Sequence, residues 1–168
     1  MSESATSRSV ISESAAEPLG YAKRFQDLTV YKKARTLARE VFRASKSFPR
    51  EEAYSLTDQM RRASRSVGGQ SAEAWAKRRY PKHFVSKLTD ADGEQQETQH
   101  WLTIAYDCSY MTAEETCRLG ELCLEIGRML GEMISKADQF CQSSGELHEA
   151  GVDYQTETDT NFLPQTQA

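Results

Sequence analysis

A chain of 168 residues, 38% of them hydrophobic, with four prolines and nine glycines, has room for one domain plus polar tails. Its formal charge of −4 is divided unevenly: Tyr21 to Thr89 carries 17 Lys/Arg against 6 Asp/Glu, and Asp90 to Cys141 carries 3 against 11. No apolar run approaches the ~18 residues a membrane span needs, and strand-like alternation is hard to find, so an all-α protein is expected.

Residues 1–20 are rich in Ser, Ala and Glu and lack the apolar stretch of a secretory signal, which predicts a disordered N-terminal tail on a cytoplasmic protein. The core is expected over 21–141. A first helix is predicted from about Thr29 to Lys46, with Val30, Ala34, Leu37, Val41 and Ala44 on one stripe. Phe48-Pro49 ends it, because a residue before proline avoids the α region.

A second helix is predicted from near Arg50, where Glu51 and Glu52 suit the positive end of the helix dipole, to Arg79-Tyr80. Its core stripe is Leu56, Met60, Ala63, Val67, Ser71 and Ala74. At 100° per residue Arg61, Arg62 and Arg65 fall opposite that stripe, facing solvent or a partner. Gly68-Gly69 costs about 2 kcal/mol relative to two alanines, which predicts a bend, a loosened turn or a close helix contact.

Pro81 suits the first turn of a third helix reaching about Cys108. Its stripe is Phe84, Leu88, Ala91, Gln95, Thr98, Leu102 and Ala105. Trp101, Ile104 and Cys108 project from a different face and are candidates for a subunit interface, the alternative being cover by loops or a tail.

Thr112-Ala113-Glu114-Glu115 is a capping box that opens a fourth helix running to about Ala137 or Phe140. Leu119, Cys123, Ile126, Leu130, Met133 and Ala137 form its stripe, and Gly120, Gly127 and Gly131 share one flank, open to a close neighbour or merely tolerated. Residues 142–168 are acidic and rich in Ser, Gly, Gln and Thr, and read as a disordered C-terminal tail. Four amphipathic helices with short connections predict an up-down-up-down antiparallel four-helix bundle.

No reaction chemistry stands out. Cys108, Cys117, Cys123 and Cys141 have no zinc or redox spacing and read as reduced thiols. Glu97-Thr98-Gln99-His100 is one E-x-x-H, whereas a di-iron bundle needs two, plus a glutamate from each of two other helices. Glu97 and His100 also point away from the core stripe. His83 and His148 have no partner in the pattern. The expectation is a non-enzyme with no cofactor and no metal.

Several fragments occur in a specific order: Phe25-Gln26-Asp27-Leu28-Thr29-Val30-Tyr31, Phe48-Pro49, Glu52-Ala53-Tyr54-Ser55-Leu56, Gln59-Met60-Arg61-Arg62-Ala63, Arg65-Ser66-Val67, Ala72-Glu73, Arg78-Arg79-Tyr80 and Glu94…Glu97…Trp101-Leu102. Together they resemble the bacterial four-helix-bundle proteins encoded in intervening sequences of large-subunit ribosomal RNA. The accessory variability determinant of diversity-generating retroelements is similar. This chain departs from the family's usual S-[IV]-P-A-N-I-A-E-G by reading Ser66-Val67-Gly68-Gly69-Gln70-Ser71-Ala72-Glu73-Ala74. The resemblance implies a ring-like homopentamer, no established enzymatic activity, and association with nucleic acid or a reverse transcriptase.

Two functional expectations follow. In the first, the chain is an oligomeric scaffold in which the basic first half of one subunit meets the acidic second half of the next, a head-to-tail contact that can close into a ring. In the second, Arg61, Arg62, Arg65, Lys77, Arg78, Arg79, Arg39 and Arg43, with Lys32, Lys33 and Arg35, bind nucleic-acid phosphates without sequence preference. Trp75 and Tyr80 offer rings for stacking, but packing is the better account of each.

Overall fold

The structure, a computed structural model, describes residues 22–141. The two tails expected to be disordered, and His148, lie outside the described residues. Helix α1 spans Thr29–Ala44, α2 Leu56–Ala76, α3 Pro81–Asp107, α4 Ala113–Ser135, and the short α5 Ala137–Phe140. Three single 3-10 turns, Phe25–Asp27, Ser45–Ser47 and Arg50–Glu52, complete the helical elements. Each long helix packs on its neighbour in sequence, and α1 also packs on α4.

The apolar stripes bury as their spacing demands. Val30, Ala34, Leu37 and Val41 of α1 meet Leu56, Met60, Ala63, Val67 and Ala74 of α2 in the core. Phe84, Leu88, Ala91, Leu102 and Ala105 of α3 and Leu119, Cys123, Ile126, Leu130 and Met133 of α4 complete it. Phe140 stacks on Phe84, with ring centroids 5.9 Å apart, and so folds α5 over the start of α3.

The ends of the helices show where local chemistry overrides pattern. The second helix starts six residues later than Arg50. Arg50–Glu52 forms a 3-10 turn, and Ser55 adopts φ −104°, ψ −97° before α2 begins. The Glu52 carboxylate caps α2 from outside: it accepts the Leu56 N–H at 3.5 Å and the Ser55 hydroxyl, and the Tyr110 hydroxyl donates to it at 3.4 Å. These bonds hold its pKa below the ordinary glutamate value, with the Ser55 bond the main cause.

Helix α3 ends with the Tyr110 N–H on the Ala105 carbonyl at 2.9 Å, around Ser109 at φ 60°. That left-handed position usually belongs to glycine. At the start of α4 the capping box forms as its sequence requires. The Glu115 N–H donates to Thr112 Oγ1 at 3.2 Å, and the Thr112 N–H donates to Glu115 Oε2 at 3.1 Å.

Helix α2 runs unbroken through Gly68-Gly69, and neither glycine has a positive φ. Gly68 is buried where α2 crosses α1. A methyl group there would sit 3.7 Å from the Tyr31 ring and 3.8 Å from Ala34 Cβ, ordinary contact distances. Of the expected alternatives, the close helix contact is the one found.

Candidate functional site

The basic side of the molecule is built on α1 and α2, and its side chains divide into committed and free groups. Arg61 does not face fully outward. Its Nε donates to Ser45 Oγ at 2.7 Å and its Nη2 to the Ser45 carbonyl at 3.2 Å, while its guanidinium lies 4.9 Å from the Phe42 ring centroid. It fastens α2 to the end of α1, because the 3-10 turn at Ser45 offers an oxygen pair that helix spacing alone does not reveal.

Glu40 sits among three arginines, with Arg43 at 2.9 Å, Arg39 at 3.5 Å and Arg118 of α4 at 3.6 Å. Arg62 reaches Asp58 at 3.7 Å and Lys33 reaches Glu125 of α4 at 2.8 Å. Arg78 donates to the Trp75 carbonyl at 2.8 Å and covers the Trp75 ring at 4.3 Å. Most exposed pairs of this kind add less than about 1 kcal/mol each, so they orient side chains more than they stabilise the fold.

Arg35, Arg65, Lys77, Arg79 and Lys32 are exposed and have no carboxylate within 4.0 Å among the described residues. Arg35 and Arg65 stand on opposite walls of an open groove of about 410 Å3 between α1 and α2. Its floor is made of small residues, Ala34, Ala38, Gly68, Gly69 and Ala72, and its end wall is Phe25 and Tyr31, packed edge to face at 4.9 Å. Sequence reading finds the arginines and the glycine pair but not the groove. Its parts come from two helices and a 3-10 turn that only the packing of α1 on α2 brings together.

The opposite side, α3 and α4, is acidic. Glu97, Asp107, Glu114 and Glu121 are exposed there without a basic partner within 4.0 Å among the described residues. Burial raises the Glu94 pKa and the nearby Glu97 charge adds to it, while Arg62 opposes the shift. Lys87 ties this side to α2, reaching Glu73 at 3.0 Å, Asp90 at 3.3 Å and the Gln70 side-chain oxygen at 3.0 Å.

Of the three candidate interface residues, Trp101 and Ile104 are half-buried against the core of their own subunit and Cys108 is exposed. Leu124 of α4, 52% exposed, and Tyr106 of α3, 47% exposed, are the freer apolar groups on that side. The three glycines of α4 differ from one another. A methyl group on Gly127 would come within 2.9 Å of Gln95 Nε2, whereas Gly120 and Gly131 have nothing within 4 Å.

The E-x-x-H pair is otherwise engaged. Glu97 accepts the Trp101 indole N–H at 2.9 Å, and His100 packs against the Trp101 ring at 4.8 Å. Among the described residues no three His, Cys, Asp or Glu side chains cluster as metal ligands would, and no helix is long and apolar enough to cross a membrane.

A family model described as 23S rRNA-intervening sequence protein matches residues 26–132. Among solved structures, a protein of unknown function from the S23 ribosomal protein family of Bacteroides thetaiotaomicron is similar. It shares 25% identity and a TM-score of 0.58 over 63% of this chain and 95% of its own. No curated protein matches the chain.

Proposed function

This chain belongs to the 23S rRNA-intervening sequence protein family, and on that premise we propose that it is a non-enzymatic scaffold whose copies join head to tail. The basic α1–α2 side of one subunit docks on the acidic α3–α4 side of the next. The observation that carries this reading is the placement of unpaired charge. Arg35 lies on α1 and Arg65 on α2, with Lys77 and Arg79 in the turn that follows α2, and Glu97, Asp107, Glu114 and Glu121 lie on α3 and α4. Each set lacks a counter-ion within its own described chain. A heterologous contact of that kind repeats and closes into a ring. The count of five is what the family resemblance implies.

An up-down-up-down course of the helices fits the same picture. It is supported by two ion pairs between α1 and α4, Lys33–Glu125 and Glu40–Arg118, which step forward along one helix and back along the other. Trp101, Ile104 and Cys108 then border the acidic docking side, with Leu124 as a further apolar contact.

Light scattering tests the assembly. Mass should be a multiple of 19.0 kDa at moderate salt, and Arg35→Glu with Arg65→Glu should dissociate it. A clean monomer of the wild-type chain would refute the proposal. A second reading, binding of RNA or DNA phosphates, is favoured by Arg35 and Arg65 flanking one groove without a carboxylate partner. It predicts binding at ~50 mM salt that weakens steeply as salt rises. Absence of binding at that salt would leave the scaffold reading alone.

A further inference from the structure

We infer that the groove between α1 and α2 is the docking site of this chain's own acidic C-terminal segment, with Asp153–Asp159 as the occupant. The groove presents two guanidiniums, Arg35 and Arg65, with no carboxylate within 4.0 Å among the described residues, above a floor of alanines and glycines and beside the rings of Phe25 and Tyr31. It therefore suits an acidic peptide with one flat apolar side chain. Residues 142–168 carry five acids (Glu146, Glu149, Asp153, Glu157 and Asp159) and no Lys or Arg, and Tyr154 lies within the proposed segment. Guanidinium–carboxylate pairs across the groove walls and a tyrosine against its apolar floor match that composition.

The described chain ends at the right place. Phe140 lines a hollow together with Leu28, Thr29 and Val30, so Cys141 leaves the bundle beside the start of α1, the same end at which Phe25 and Tyr31 close the groove. Twelve residues from Cys141 to Asp153 span up to about 40 Å when extended, as much as the whole length of α3. A tethered segment also meets its site at an effective concentration in the millimolar range, so modest contacts suffice. Docking would cover the cations that the proposed ring contact needs. That consequence for assembly rests on the scaffold reading, whereas docking itself does not.

The test uses the full chain labelled with ¹⁵N, with a spin label at Gln155→Cys and with Cys108, Cys117 and Cys141 replaced by serine. The amide peaks of Gly68 and Gly69 should lose intensity roughly twofold or more at ~50 mM salt and recover at ~0.5 M, where screening shortens the reach of charge to a few ångström. Arg35→Gln with Arg65→Gln, both exposed and outside the core, should abolish the loss. So should conversion of the five acids to amides. Unchanged peaks, or equal broadening at Gly120 and Gly131 of the acidic side, would overturn the inference. Broadening in a mixture of unlabelled spin-bearing chain with ¹⁵N chain lacking the label would overturn docking within one chain. Light scattering on the same samples reports assembly separately, so a monomer with a docked segment would fail the ring and uphold the docking.

Discussion

Replacing Gly68, Gly69 and Gly127 by alanine, one at a time, separates three environments that look alike in sequence. Each glycine lies within a helix, where alanine gains about 0.8–1.0 kcal/mol of propensity. At Gly69 nothing lies within 4 Å of the new methyl, so that gain is the whole effect. At Gly68 the methyl meets Tyr31 and Ala34 at 3.7 and 3.8 Å and is buried, which adds up to about 0.8 kcal/mol of transfer energy. At Gly127 it would come within 2.9 Å of Gln95 Nε2. Gln95 is buried, donates to Asp92 at 2.9 Å and accepts from Gln99 at 2.7 Å. Displacing it forfeits about 1–3 kcal/mol of buried hydrogen bonding, which outweighs the propensity gain. Urea unfolding followed by helical circular dichroism, at one fixed protein concentration because assembly shifts apparent stability, should rank the variants Gly68→Ala, Gly69→Ala, wild type, Gly127→Ala from most to least stable. The two stabilised variants should gain about 2–4 °C in melting temperature per kcal/mol. A destabilised Gly69→Ala would refute the reasoning, since it would require that α2 be broken or packed at that point.

Further outcomes follow from individual side chains. Arg61→Met should lower stability by about 1.5–3 kcal/mol in the same assay, because it removes two charge-assisted bonds to Ser45; an effect equal to that of exposed Arg79→Met would remove its fastening role. Glu52 and Glu115 have pKa values held below 4.5 by the hydrogen bonds they accept, from Ser55 and from Thr112. Their stabilisation is complete above that value and lost as pH falls through their folded-state pKa, so acid unfolding of Glu115→Gln should be less steep below pH 4.5 than that of wild type. Glu94 has the opposite sign, its pKa raised by burial; Glu94→Gln should stabilise at neutral pH and converge on wild type in acid. In the native protein a thiol reagent should modify the exposed Cys108 and Cys117 rapidly and Cys141 slowly. Cys123, buried with its pKa pushed up to about 12, should react only on unfolding.

The four long helices and core membership were legible because burial is written in spacing, although the stretch expected to finish the fourth helix breaks at Lys136 into the short α5. All seven residues of the third stripe, Phe84 to Ala105, are buried, including the polar Gln95 and Thr98. Polar satisfaction at short range was less legible. Thr112 and Glu115 follow a known capping pattern and were readable, whereas Glu52 caps α2 through a 3-10 turn that has no sequence signature of its own. Ser109 holds a left-handed position without glycine, so no residue announced it. Helix geometry places Arg61 on the outer face, but a long flexible side chain can reach across to the Ser45 oxygens at the end of the neighbouring helix, and angular position does not report that. The groove was hidden because Phe25, Arg35 and Arg65 become neighbours only after two helices pack.

The net positive charge of α1 and α2 and the net negative charge of α3 and α4 give the bundle an electric dipole with a component across its short axis. Two freely tumbling copies therefore exert a torque on each other within about a Debye length, ~10 Å at 0.1 M salt, before any side chains touch. The torque selects the side-on, same-sense orientation from which head-to-tail contact is made and disfavours face-to-face encounters of like charge. Salt should accordingly slow the encounter of subunits more than it loosens contacts already formed. The direction of growth is then set during approach, by the field of the monomer.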